Sequence, residues 1–384
     1  MGFTIRNGKL KRYTEEPGVT EITIPDGVTK IGEGAFYGCK SLTSVTIPDS
    51  VRIIDEGAFY DCESLVSISI PDSVTQIEKS VFIGCSSLIN ITVDTNNHVF
   101  ASKDGALYNK DCSVLITCPG AFTSIIIPDS VTEIGKYAFD GCKSLTSVTI
   151  PDSVTEIGKY AFADSTNLTS VVIPDSVTEI EDDAFIGCSS LTSVIIPDSV
   201  KVIGRSAFAD CTSLTSITLS NGLTEIGHLA FQGCESLTSV NIPYGVTKLP
   251  WGLFNCAIRL ASVDIPDSVT EIGDSAFDSC TSLTSVIIPD SVKVIGRSAF
   301  ADCTSLTSIT LSNGLTEIGH LAFHGCTSLT SVTIPDSVIR ISESAFADCT
   351  NLSEIILGED SHFVVTDGAL WTKDMQTKVI ELAK

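Results

Sequence analysis

The 384-residue sequence predicts a β-rich α/β repeat solenoid built from 23-residue units. Three observations carry this. Phenylalanine recurs every 23 residues, at Phe36, Phe59 and Phe82 and then without a slip from Phe139 to Phe346, which makes thirteen units. Each unit opens with alternating apolar and small polar residues that end at a turn, most often Pro-Asp-Ser. Two segments that break the period resemble each other and carry Asp-Gly between short apolar runs.

Within a unit, Leu145, Val148 and Ile150 alternate with Ser147 and Thr149, the pattern of a half-buried strand. Pro151-Asp152-Ser153 then turns the chain, with proline expected at the second turn position and aspartate bonding its own backbone two residues on. A proline inside a continuous strand would delete a ladder hydrogen bond, so the strand ends there. Ile134, Ala138, Phe139, Cys142 and Leu145 fall on one face of a helical turn, so a short helix is expected around each phenylalanine. It should stop two residues after phenylalanine, where Gly38, Asp61, Gly141, Asp164 and their equivalents tolerate a left-handed backbone. One unit cannot bury its apolar face, but a stack of thirteen buries a continuous core.

Asp104-Gly105 and Asp367-Gly368 are strong hairpin signals, and Asn7-Gly8 is a weaker third. The expected organisation is one continuous solenoid: an N-terminal β cap (1–19), three repeats (20–93), a β-hairpin interruption (94–120), ten repeats (121–357) and a C-terminal β-hairpin cap (358–384). Caps are needed because bare solenoid ends would expose core and strand edges.

The consensus Leu145-x-x-Val148-x-Ile150-Pro151-x-Ser153-Val154-x-x-Ile157-Gly158-x-x-Ala161-Phe162, usually with Cys three residues on, resembles the BspA-like leucine-rich repeat family over nearly the whole chain. The resemblance implies a curved, right-handed superhelix with a parallel sheet on one face and short strands and helical turns on the other. It also implies export to a cell surface and non-enzymatic binding or adhesion. The family shares a scaffold and no catalytic residues, so none are carried over.

Composition narrows the function. With 23 basic against 47 acidic residues and a net charge of −24, the chain would repel phosphate backbones and anionic membranes, so no nucleic-acid partner is expected. Apolar runs are far shorter than a membrane span, so no membrane insertion is expected either. The N-terminus, Met1-Gly2-Phe3-Thr4, is not an apolar export signal; it fits a cytosolic protein or a mature chain whose signal has been removed.

Of the fourteen cysteines, eleven share one repeat position, which reads as small buried hydrophobes rather than a disulfide framework. Stacked neighbours would still lie near the Cα separation a disulfide requires, and Cys112 and Cys118 have no evident ladder role. His320 and His324 have the i, i+4 spacing of a helical metal pair but no glutamate beside them, so they read as a surface pair. Turn aspartates from Asp26 to Asp336 would stack into acidic stripes, read as turn chemistry and solubility, with weak calcium binding as the sharper alternative. Asn90, Asn167 and Asn351 match the glycosylation pattern, but the repeat's own grammar generates it. No catalytic, cofactor or metal residue is expected.

Function is therefore sought where the chain departs from its consensus. The densest departure runs from Pro243 to Phe254, where Tyr244 replaces the turn aspartate, Pro250 replaces the usual glycine and Trp251 occupies an outward position. Lys248 and Arg259 add positive charge. Aromatic residues beside arginine are enriched at binding hot spots, so Tyr244, Lys248, Trp251 and Arg259 are the candidate partner-binding residues. Residues 191–240 recur as 283–332 with two changes, an offset of 92 that equals four repeats. The expected protein is a monomeric, secreted or surface-displayed scaffold for a protein or glycan partner on host or neighbouring cells. A passive stalk is the alternative and an enzyme a remote one.

Overall fold

A computed structural model describes residues 2–375 and 377–382. The chain divides into two compact units, Met1–Leu191 and Thr192–Lys384. Each is a β-solenoid of leucine-rich repeats.

In every repeat two short strands stack in parallel and in register on those of a neighbouring repeat. Ser124–Ile126, Ser147–Thr149 and Ser170–Val171 form one such ladder, with Ile125 opposite Val148 and Val148 opposite Val171. Glu133–Ile134, Glu156–Ile157 and Glu179–Ile180 form the other. In Ser147–Thr149 and Glu156–Ile157 the apolar member is buried and its polar neighbours face out, as the alternation predicts, whereas Ile126 puts an apolar side chain on the outward face.

Between second strand and next first strand the phenylalanines form stacked columns. Phe36 and Phe59 lie 4.9 Å apart at 3° between ring planes, and Phe139 and Phe162 lie 4.6 Å apart at 4°. Burying each ring contributes about 1.5–3 kcal/mol. This column is a principal stabilising element of each unit.

The predicted helix is absent: no helix occurs among the described residues. The segment is a string of turns whose N–H groups alternate between two destinations. Ala138 and Asp140 donate to Gly135 and Tyr137 three residues back, whereas Tyr137, Phe139 and Gly141 donate across to Lys159, Ala161 and Ala163 at 3.1, 2.7 and 2.8 Å. A helix would keep all these donors within its own coil. Here every second one links coils, which the local apolar pattern does not reveal.

Two left-handed residues per repeat aim those donors. The residue two after phenylalanine has positive φ in all thirteen repeats, including Ser279 and Cys256 as well as the expected Gly and Asp. The residue two before phenylalanine is also left-handed throughout, with Tyr137 at 63°, Tyr160 at 56°, Leu229 at 59° and Leu321 at 57°. The first column shows close complementarity between coils. A Cβ on Gly233, at φ 67°, would stand 2.3 Å from Oδ1 of Asp210, the residue of the same column one repeat earlier. An acidic residue in this column therefore calls for glycine in the next coil.

The proline of the turn occupies the first position rather than the second: its carbonyl accepts the N–H three residues on, as from Val131 to Pro128 at 2.9 Å. The side chain that ties this turn to the preceding repeat is the serine, Ser153 Oγ donating to the Val131 carbonyl at 2.7 Å.

All fourteen cysteines are free thiols. The ladder cysteines do more than fill space, because thiols in this column lie against the phenylalanine carbonyl of the preceding repeat, Cys62 Sγ to Phe36 O at 3.2 Å and Cys280 Sγ to Phe254 O at 3.3 Å. Ser165 makes the same contact with Phe139 at 2.7 Å, which explains why serine substitutes there.

The hairpins form where Asn7-Gly8, Asp104-Gly105 and Asp367-Gly368 stand, and all six residues have positive φ, as a type I′ turn requires. Phe3–Arg6 pairs with Lys9–Tyr13, Phe100–Lys103 with Ala106–Asn109, and Phe363–Thr366 with Ala369–Thr372. In the interruption a further strand, Val114–Thr117, pairs in parallel with Glu133–Ile134. Cys118, which the sequence left without a ladder role, then takes the phenylalanine slot: its N–H donates to Ala138 O at 2.7 Å, and Cys142 Sγ faces its carbonyl at 3.7 Å.

A candidate binding groove at the irregular repeat

The second-strand ladder of the Thr192–Lys384 unit breaks at one place before its closing hairpin, between Glu225–Ile226 and Lys248–Leu249. Pro250 is the physical cause. In neighbouring repeats the residue at this position donates its N–H to the preceding coil, Gly227 to Ile203 O at 2.7 Å and Gly273 to Leu249 O at 2.8 Å. Proline has no N–H to give. The Ile226 carbonyl loses that link, and a groove of about 630 Å³ opens over the break.

Two columns of outward side chains frame it. Glu225, Lys248 and Glu271 come from successive second strands, and His228, Trp251 and Asp274 from the position three before each phenylalanine. Lys248 Nζ pairs with Glu271 Oε2 at 2.8 Å. The Trp251 indole is 46% exposed and packs tilted against His228, ring centroids 6.2 Å apart. Its backbone carbonyl accepts the N–H of left-handed Leu229 at 2.9 Å, which fixes where the indole emerges. Asp274 Oδ1 accepts the Arg297 N–H at 2.7 Å. Three carboxylates and one ammonium thus line the groove.

Of the four residues singled out from sequence, Lys248 and Trp251 line this groove together. Tyr244, 72% exposed in the turn before the second strand, and Arg259, exposed ahead of Ser262–Asp264, do not line it. The groove's other chemical groups, Glu225, His228, Glu271 and Asp274, lie 23 residues before or after Lys248 and Trp251. That spacing was the available signal for them.

The duplicated half holds a counterpart. Thr224–His228 and Thr316–His320 are identical in sequence, but the next coil supplies Arg340, Ser342 and Glu343 where the groove has Lys248, Pro250 and Trp251. Ser342 keeps the inter-coil bond, its N–H donating to Ile318 O at 2.9 Å, and the strands stay paired. The recess there is about 390 Å³, and the Arg340 guanidinium is ion-paired with Glu317.

His320 and His324 do not form a metal pair: left-handed Leu321 separates them, His320 Nδ1 meets Glu343 O at 2.9 Å, and His324 Nδ1 lies 3.5 Å from Asp348 Oδ2. Among the described residues no group of three or more His, Cys, Asp or Glu is placed to hold a metal ion, the turn aspartates included. No helix among them is long and apolar enough to cross a membrane.

Comparison with known proteins places the chain. The family profile described as "BspA type Leucine rich repeat region" matches in six copies over residues 11–119, 113–227, 155–284 and 270–370. A leucine-rich repeat protein from Bacteroides ovatus is 31% identical, with 94% of this chain and 87% of that chain covered and a TM-score of 0.64. A leucine rich cell surface protein from Faecalibacterium prausnitzii is 30% identical over 94% of this chain and 87% of its own, with a TM-score of 0.47. A T. pallidum leucine-rich repeat protein is 34% identical over 46% of this chain and 86% of its own, with a TM-score of 0.42. The search of curated proteins finds no match. On the profile match and the Bacteroides relative, this chain belongs to the BspA-type leucine-rich repeat family.

Proposed function

We propose that the protein is a non-enzymatic binding scaffold, secreted or displayed at a cell surface, that contacts a protein partner through its irregular repeat. Right-handed curvature and a monomeric state belong to the same reading. The observation that carries it is the half-exposed Trp251 at the broken step of the second-strand ladder in the Thr192–Lys384 unit. An exposed tryptophan in a recess is the residue type that dominates binding energy at interfaces. Tyr244 and Arg259 extend the patch outside the groove, and secretion or display rests on family membership.

The test is capture from host or bacterial cell-surface preparations on the immobilised chain, in parallel with Trp251→Ala. Loss of a specific band with the folded variant supports the reading. Capture unchanged by the substitution refutes the irregular repeat as the contact.

The duplication of residues 191–240 as 283–332 favours a second reading, a spacer, because added repeats change reach without building a new site. A spacer predicts no capture by either protein.

A further inference from the structure

The groove and its counterpart in the duplicated half share one wall and differ in the other, so each shows what the other lacks. In the counterpart, the carboxylate of Glu317 is taken up by a guanidinium of the chain itself, Arg340. Its equivalent in the groove is Glu225. The residue that replaces Arg340 there, Lys248, turns instead to Glu271 on the following coil at 2.8 Å. Glu225 therefore stands in the recess beside His228 without the cation that occupies the matching place 92 residues on.

Trp251 lines the same groove, where the counterpart has Glu343. The face of an indole attracts a cation, arginine most often, and a planar guanidinium can stack on the ring while its N–H fork bonds a carboxylate. Asp274, with one oxygen engaged by the Arg297 N–H, supplies a second carboxylate on the same column. Charge supports the same occupant, since Glu225, Glu271 and Asp274 outweigh Lys248 and the chain as a whole carries −24. The groove of about 630 Å³ at the broken ladder step, lined by Pro250, is large enough for it.

We infer that this groove receives an arginine side chain of a basic, extended segment of the partner, its guanidinium lying between the Trp251 ring and the Glu225 carboxylate. The inference rests on the irregular repeat being the partner contact and names the chemistry of that contact.

A fluorescein-labelled (Arg-Gly-Ser)4 peptide, titrated into the intact chain at about 0.15 M salt and followed by anisotropy, tests it. The same peptide with citrulline for arginine keeps the shape and removes the charge. Binding should be at least about tenfold tighter for the arginine peptide, and Trp251→Ala and Glu225→Gln should each weaken it by about five- to tenfold. Glu317→Gln, in the counterpart, should leave it unchanged. Equal weakening by Glu317→Gln would reduce the effect to general acidity and overturn the inference, as would indifference to Trp251→Ala. A neutral oligosaccharide such as cellotetraose that binds in a Trp251-dependent way, while the arginine peptide does not, would also overturn it. The partner-contact reading survives if cell-surface capture still depends on Trp251, and falls with the inference if it does not.

Discussion

Replacing Phe231 by alanine should open the middle of the ring column in the Thr192–Lys384 unit. Phe231 has no exposed surface and stacks between Phe208 at 5.7 Å and Phe254 at 5.6 Å, tilted by only 13° and 12°. Truncating such a side chain costs about 3–5 kcal/mol, the transfer free energy of the ring plus the cavity it leaves. Two stacked contacts, each worth about 0.5–1.5 kcal/mol, are lost within that sum. Because each coil touches only its neighbours, the damage should be local and symmetric. Hydrogen exchange read by mass spectrometry resolves this without assuming two-state unfolding. The inter-coil amides of Phe208 and Phe231, which donate to Ala230 and Leu253, should lose protection together. Phe363→Ala removes a ring of the hairpin strand Phe363–Thr366, so it should cost less and loosen that hairpin alone. Equal, small losses at both positions, or loosening that skips the coils beside Phe231, would refute a stacked core.

Two further outcomes follow from burial. Desolvation and the nearby Asp164 carboxylate push Asp140 up to about 7. The folded state therefore holds this proton more tightly than the unfolded chain does. The stability it brings is complete below about pH 4 and is lost as pH rises through about 7. Asp140→Asn should match the parent in thermal melts near pH 4 and exceed it by about 1–2 kcal/mol at pH 8, a figure reduced for partial exposure; no gain at pH 8 would refute the burial argument. For the thiols, burial pushes Cys39 up to about 12 and Cys234 and Cys280 well above the ordinary thiol value. Thiol reagents at pH 8 should react slowly with the native protein, whereas the denatured, non-reduced chain should titrate most of its fourteen cysteines. Four or more disulfides would overturn the free-thiol ladder.

The candidate groove was partly legible. Trp251, Lys248 and Pro250 stand out as departures from the consensus, and all three line one groove. Sequence proximity also grouped Tyr244 and Arg259 with them, although in a 23-residue coil such residues occupy other parts of the turn. Conversely, Glu225, His228, Glu271 and Asp274 are a full repeat away along the chain and adjacent across the stack. Pro250 was visible as a substitution, but its consequence depends on which N–H groups link coils.

The repeat, read from the sequence alone, determined the ring column, the short exposed-buried-exposed strands and the three hairpins, because each rests on residue type and a fixed spacing. Left-handed backbone two residues after phenylalanine was likewise written in glycine and aspartate. Only the tertiary structure decided that the segment around phenylalanine is a string of turns and not a helix. Its apolar spacing suits both, and the choice falls to alternate N–H groups that find their acceptors on the next coil. The same bonds hold Tyr137 and Leu229 left-handed against their local preference, each donating to a carbonyl of the following repeat at 3.1 and 2.9 Å. A chain can announce what each coil buries, but which donors leave the coil is settled only once a neighbouring coil is there to accept them.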